Sequence, residues 1–227
     1  MKLSEIFASI QGEGVNAGVP AAFLRTALCN LRCAWCDSRY TWDFTAYSYK
    51  EQVHEVTVEG ALERIGRLGR KHLVITGGEP LLQQEELTRL TATLKDEGYF
   101  IEVETNGTII PNPRLLKCVD QWNISPKTAS SKNRARQREN PSAYRFFARL
   151  ANAWFKFAIL GEEDVREVLT LASKYKLPTR RILLMPEAAT RRKLASRSGL
   201  VAELCLKYGF RFSPRLHIEL WGGKRGT

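Results

Sequence analysis

The sequence predicts an α/β protein built as a partial (incomplete) βα barrel of six to seven mainly parallel strands. Three observations predict it. Short β-branched or aromatic runs alternate with longer stretches whose apolar residues recur at helical spacing, and that alternation folds as βα units around a parallel sheet. The chain has 227 residues, fewer than the ~250 that a complete eightfold barrel typically takes. Polar residues, Gly or Pro follow the second, third, fourth and sixth of the runs, at the carboxyl ends of strands where parallel sheets gather their ligands.

The first strand is expected at residues 22–27, an alanine, phenylalanine and leucine run before a cysteine-rich loop. Val58, Leu62, Ile65 and Leu68 then recur on one helical face, and a second strand follows at 72–76. Leu87, Leu90 and Leu94 mark the next helix, with Gly98 as its stop and a third strand at 99–104. A fourth strand is expected at 121–125 and a fifth at 153–159. Val165, Val168, Leu169 and Ala172 carry a helix that Pro178 closes, and strands at 181–185 and 210–213 complete the set. No repeat longer than the βα unit and no low-complexity tract is present, so residues 1–227 read as a single domain.

Composition narrows the class. With 44% apolar and 26% charged residues the chain has material for a core, which excludes disorder as its main state. No apolar run approaches the ~18 residues that cross a bilayer. The opening residues place acids and a glycine where a signal core would lie, so a cytoplasmic protein without membrane contact is expected. The 35 Lys and Arg against 24 Asp and Glu leave a formal charge of +11. Residues 127–149 carry seven of those bases against one acid, Glu139, and read as a mobile surface excursion. No nucleic-acid module accompanies them, so nucleic acid is not expected as a partner.

Three of five cysteines, Cys29, Cys33 and Cys36, fall in the loop after the first strand, while Cys118 and Cys205 stand alone and read as packing residues. An odd count with a local cluster does not fit a disulfide framework and points to thiolate ligands for a soft metal centre. Three thiolates so close can hold three irons of a cubane cluster and leave the fourth open to a small molecule. A zinc site completed by Cys118, Cys205 or a histidine is the open alternative. The strand-end sequences are Thr76-Gly77-Gly78-Glu79-Pro80, Glu104-Thr105-Asn106-Gly107, Ser125-Pro126-Lys127 and Met185-Pro186-Glu187. Any one alone is an ordinary turn; together, at one end of a sheet, they outline a site. A glycine pair there lets a backbone edge approach a ligand closely.

Cys29-x3-Cys33-x2-Cys36 after the first strand resembles the radical S-adenosylmethionine superfamily. Over nearly the whole chain, Ile10-Gln11-Gly12-Glu13-Gly14, Phe23-Leu24-Arg25, Cys36-Asp37-Ser38 and the strand-end motifs are similar to the branch of that superfamily that makes a deazaguanine from a pterin. The resemblance implies a 4Fe-4S cluster on Cys29, Cys33 and Cys36, with S-adenosyl-L-methionine on the open iron. It implies a radical lyase that contracts 6-carboxy-5,6,7,8-tetrahydropterin to 7-carboxy-7-deazaguanine with loss of ammonia, leading to deazapurines such as queuosine. For the cofactor it assigns Trp35, Cys36 and Asp37 to the adenine, Gly78 and Glu79 to the methionyl group, Glu104, Ser125, Pro126 and Lys127 to the ribose and carboxylate, and Leu184, Met185, Pro186 and Glu187 to the last binding loop. For the pterin it assigns Ile10, Gln11, Gly12, Glu13, Arg25 and Thr76, with His217 and the terminal Thr227 from a tail folded into the pocket. It adds Mg2+ held by the Ser38 hydroxyl and a homodimer. The excess positive charge, separately, suits capture of an anionic substrate or docking of an acidic electron donor of flavodoxin type. A glycyl-radical-enzyme activase shares the cluster motif but commonly carries further cysteine-rich segments, absent here. A zinc-stabilised basic RNA-binding module would use the charge and leave the strand-end motifs idle.

Overall fold

The computed structural model describes residues 1–227. Its nine strands are β1 (Lys2–Ile10), β2 (Pro20–Thr26), β3 (His54–Glu55), β4 (His72–Gly77), β5 (Phe100–Thr105), β6 (Gln121–Ile124), β7 (Ala153–Ile159), β8 (Ile182–Pro186) and β9 (Arg211–Phe212). They form one unclosed sheet in the order β3-β1-β2-β4-β5-β6-β7-β8-β9. From β2 through β9 every neighbouring pair is parallel, and these are the seven strands expected from sequence. The other two extend the expectation: β1 and β3 were not anticipated, and they add an antiparallel edge beside β2.

The helices are α1 (Tyr49–Gln52), α2 (Val58–Arg67), α3 (Gln84–Asp96), α4 (Pro113–Cys118), α5 (Ala135–Arg138), α6 (Pro141–Arg149), α7 (Glu162–Tyr175), α8 (Arg191–Tyr208) and α9 (Leu216–Trp221). Local chemistry sets their ends. The Thr57 hydroxyl accepts from Gly60 N at the start of α2, and Asn112 caps α4 with Pro113 in its first turn. Lys176 takes a left-handed conformation (φ 57°) after α7, and Gly98 does so (φ 77°) after α3. None of these helices is long and apolar enough to cross a membrane.

Period-two alternation along the strands divides the sheet into two faces. Leu24, Ile75, Val103, Trp122, Phe155 and Leu184 point outward into one large core shared with the helices. The residues between them point inward: Arg25, Thr76, Glu104, Asn123, Lys156 and Met185. The strands that read as apolar from sequence therefore carry a polar stripe on their concave face. At the amino-terminal end of that face Glu102, fully buried, accepts from Gln11 Nε2 at 2.6 Å and Asn16 Nδ2 at 2.7 Å, and pairs with His72 Nε2 at 3.0 Å.

Residues 127–149 are not a mobile excursion. They fold into a 3-10 turn at Ala129–Ser131, then α5 and α6, whose Ala143, Tyr144 and Phe147 are buried. Arg138 is itself buried, donating to Lys127 O at 2.8 Å and pairing with Glu167 at 2.5 Å. The charge run is the outer face of an amphipathic segment that packs on α7. Cys205 sits in the main core as expected, while Cys118 is only half-buried.

Candidate active site

The carboxyl ends of the parallel strands surround a cavity of about 330 Å³. The three cysteines line it from the loop that leaves β2. Each sulfur meets one N–H donor: Leu31 N to Cys29 Sγ at 3.4 Å, Asn133 Nδ2 to Cys33 Sγ at 3.3 Å, and Trp42 Nε1 to Cys36 Sγ at 3.3 Å. Burial pushes the Cys29 thiol up to about 12 and raises Cys33, so these thiols are neutral until a cation compensates their charge. No three His, Cys, Asp or Glu side chains converge on a point as a single-ion site requires. Three sulfurs lining one cavity suit a multi-iron cluster that takes one thiolate per iron. Cys118 and Cys205 lie outside the cavity lining and cannot complete a zinc site there.

Beside the cysteines the Gly77-Gly78 turn runs against the same loop. Gly78 N donates to Thr26 O at 3.0 Å and Glu79 N to Leu28 O at 2.8 Å. A Cβ on Gly78 would stand 1.9 Å from Leu28 O, and one on Gly77, at φ 128°, 2.2 Å from Thr26 O. Only glycines permit this contact, and it leaves Gly78 lining the cavity as a bare backbone edge. The Glu79 side chain does not share that position. It is fully buried outside the lining, where it accepts from Leu81 N at 3.0 Å, Thr105 Oγ1 at 2.7 Å and Asn106 N at 2.7 Å. The expected contact of its carboxylate with the cofactor ammonium is thus corrected: Glu79 ties the β4 turn to the β5 turn.

Most other expected residues meet at the cavity. Trp35, Asp37, Ser38, Ser125 and Lys127 line it, as do Met185 and Glu187 at the end of β8. Leu184 and Pro186 are corrected: both are buried in the strand with side chains turned from the cavity, because they alternate with Met185 and Glu187. Pro126 is also absent from the lining, between two residues that contribute to it. Ile10, Gln11, Gly12, Glu13, Arg25 and Thr76 form the wall on the β1–β2 side. Arg25 lies 5.5 Å over the Phe7 ring and pairs with Glu5 at 2.9 Å. Gln11 is spent internally, since Nε2 donates to Glu102 and Oε1 accepts from Glu13 N at 3.2 Å. It shapes the wall through its backbone.

An ion network missed by the sequence reading holds this wall together. Lys156 on β7 pairs with Glu13 at 2.5 Å and with Glu104 at 3.0 Å, and Glu104 also accepts from Thr76 Oγ1 at 2.8 Å. Arg215 pairs with Glu13 at 2.9 Å and with Asp37, and it donates to Ala188 O. Burial alone would raise the Glu13 carboxyl, but the Lys156 and Arg215 charges outweigh it and hold Glu13 well below the usual carboxylate range. The same balance lowers Asp37, where Arg215 overcomes burial. Lys156 was legible in principle as a single charge within the apolar run Trp154-Phe155-Lys156-Phe157; Arg215 carried no local signal.

The carboxyl-terminal segment closes the cavity. His217 follows Arg215 into α9, and Leu216 N donates to Gly12 O at 3.0 Å. A Cβ on Gly12 would fall 2.2 Å from His217 Nδ1 and 2.9 Å from His217 N, so this glycine admits the segment. Burial lowers the His217 pKa below its usual value, which leaves a neutral imidazole. Thr227 also lines the cavity, carried there by Arg225, which pairs with Glu5 at 3.1 Å, donates to Gln52 at 2.8 Å and stacks 3.7 Å over the Tyr40 ring.

Residues 23–189 match the family model of the radical SAM superfamily. Along its whole length the chain is 39% identical to a 7-carboxy-7-deazaguanine synthase of Pyrobaculum aerophilum, covering 97% of that protein. It is 36% identical to one of Hyperthermus butylicus, over 96% of this chain and 92% of that one. The crystal structure of QueE from Escherichia coli superposes with a TM-score of 0.69 at 28% identity, over 93% of this chain and 92% of that one. A structure of TYW1, 16% identical with a TM-score of 0.51, shares the fold. Matched by that family model over most of its length and by these relatives along nearly all of it, the chain belongs to the radical SAM superfamily and to its 7-carboxy-7-deazaguanine synthase family.

Proposed function

We propose that this chain is a radical S-adenosylmethionine lyase converting 6-carboxy-5,6,7,8-tetrahydropterin to 7-carboxy-7-deazaguanine and ammonia, in deazapurine biosynthesis. One observation carries the reading. The cysteine loop, the Gly78 backbone edge and a wall of Arg25, Glu13 and His217 line a single cavity, which brings residues suited to an iron-bound cofactor beside residues suited to an anionic heterocycle.

When bound, the cluster supplies one electron to the cofactor's sulfonium, and the hard chemistry belongs to that pair. The protein's task is to hold, orient and enclose. Cys29, Cys33 and Cys36 are the thiolates for three irons. Gly78 offers main-chain groups to the methionyl portion, while Trp35, Asp37, Ser125, Lys127, Met185 and Glu187 border the rest of the cofactor. Glu104, held by Thr76 and Lys156, faces the middle of the cavity. On the pterin side Arg25 clamps the carboxylate, a role suited to a planar fork of donors already aligned by Glu5 and Phe7. Glu13, kept ionised by its neighbours, accepts from the donor edge of the pterin, and neutral His217 and Thr227 meet the ring from the tail.

Mg2+ belongs to the same proposal. Ser38 lines the cavity with Oγ 3.7 Å from Cys36 Sγ, and its carboxylate neighbour Asp37 is engaged by Arg215. One hydroxyl with substrate and water oxygens suits a cation that keeps much of its hydration shell. The proposal further includes a cytoplasmic homodimer reduced by a flavodoxin-type donor.

The test is anaerobic iron-sulfur reconstitution, then incubation with S-adenosylmethionine, reductant, magnesium and the tetrahydropterin, with mass spectrometry of the products. Formation of 7-carboxy-7-deazaguanine is expected. If 5'-deoxyadenosine forms alone, the pterin assignment is wrong; if zinc binds and no cluster forms, the radical assignment fails as well.

A further inference from the structure

Residues 130–133, in the basic segment that the proposed chemistry leaves unused, form a strap across the cysteine loop. Ala34 N donates to Ser131 O at 3.0 Å, Arg32 N to Asn133 Oδ1 at 2.9 Å, and Trp35 Nε1 to Ser130 Oγ at 3.3 Å. The fourth contact differs in kind, because Asn133 Nδ2 donates to a thiol, Cys33 Sγ. Asn133 is oriented for this by both ends of its amide: Oδ1 is held by Arg32 N, and Nδ2 also reaches Ser131 Oγ at 3.2 Å. On the opposite side of the loop Trp42, 9% exposed, donates Nε1–H to Cys36 Sγ. Its indole is held by the guanidiniums of Arg32 at 5.2 Å and Arg39 at 5.9 Å from the ring centroid.

Hydrogen bonds to ligand sulfurs stabilise the more negative, reduced form of an iron-sulfur centre, and they are among the protein's few means of setting its potential. We propose that Asn133 and Trp42 are positioning residues that raise the reduction potential of the centre on Cys29, Cys33 and Cys36, each through one N–H donated to a ligand sulfur. The inference rests on the cluster reading above. Because the two donors serve different sulfurs of one centre, losing both lowers the potential more than losing either. The strap thereby gives the basic segment a task at the site: it carries Asn133, while Lys132, Arg134 and Arg136 face outward.

The experiment is a redox titration of the reconstituted holoprotein without S-adenosylmethionine, followed by the electron paramagnetic resonance signal of the reduced cluster. The variants are Asn133→Ala, Trp42→Phe and the pair, with Ser130→Ala as a control that removes a strap contact but no bond to sulfur. Iron and sulfide content are expected to match the parent in every variant. The midpoint is expected to move to more negative potential in N133A and in W42F, to move furthest in the double variant, and to stay at the parental value in S130A. Unchanged midpoints in fully loaded N133A and W42F overturn the proposal, as does an equal shift in S130A, which would assign the effect to loosening of the strap. Should N133A fail to hold a cluster, W42F, which keeps an aromatic ring between the two arginines, decides the matter alone. A parent protein that binds no cluster refutes the cluster reading, and this inference falls with it, whereas unchanged midpoints in loaded variants refute the inference alone.

Discussion

Glu13 and Glu79 are both buried carboxylates, and their partners give them opposite behaviour. Glu13 is held ionised by Lys156 and Arg215, so its folded pKa lies below the usual 4.5. Its contribution to stability is therefore present above about pH 4.5 and is lost as the pH falls toward the folded value. Lys156, raised above its usual 10.5, contributes below that value and loses its contribution as the pH climbs through the folded one. Urea unfolding between roughly pH 5 and pH 3 should show a steep loss of stability in the parent and a shallower one in Glu13→Gln. At neutral pH the variant should be less stable by about 1–3 kcal/mol, since Lys156 and Arg215 each lose one of two carboxylate partners; equal slopes would remove Glu13 from the network. Glu79 forms no ion pair, and burial raises its pKa despite three donors and the Lys127 charge. Glu79→Gln turns an amide donor toward groups that themselves donate, so a loss of about 1–3 kcal/mol in unfolding free energy is expected. At Ser38, replacement by Ala should raise the magnesium concentration needed for half-maximal activity while leaving iron content unchanged; the same magnesium dependence would remove Ser38 from that site.

Among the elements, the carboxyl-terminal tail and β1 decide how the cavity is enclosed. The tail is tied by exposed contacts of Arg225, each worth at most about 1 kcal/mol, yet it covers the pterin side of the cavity. Deleting residues 222–227 should therefore barely change the unfolding midpoint and should weaken pterin binding at least tenfold more than cofactor binding, as read by calorimetry. Equal losses for both ligands would make the tail a general cover. The parallel strands and the helices α2, α3 and α7 were legible because each buries a regular stripe. β1 was not: Ser4, Glu5 and Ser9 interrupt its apolar residues, and only antiparallel pairing with β2 makes a strand of it. The segment 127–149 was misread for a related reason. Its charges dominate the composition, while the burial of Tyr144, Phe147 and Arg138 depends on the presence of α7.

Across the whole molecule the +11 charge favours an acidic redox partner, and that preference is measurable. With a flavodoxin-type donor the apparent KM for the donor should rise several-fold between low and physiological salt; a salt-independent KM would dissociate the charge from electron delivery. The sequence by itself determined the parallel βα order, the cysteine loop and the strand-end motifs, since each is a local pattern of spacing or turn chemistry. It also placed nearly all the expected cofactor and pterin residues on segments that reach one cavity. The tertiary structure decided which side chains face inward, sending Glu104 and Met185 to the cavity and turning Leu184 and Glu79 away. It alone recruited Lys156, Arg215, Asn133 and Trp42. Glu13 meets Lys156 across 143 positions and Arg215 across 202, and Asn133 meets Cys33 across 100. Such pairings are set by strand order and sheet curvature, which gather distant charges only after the outward faces have packed their core.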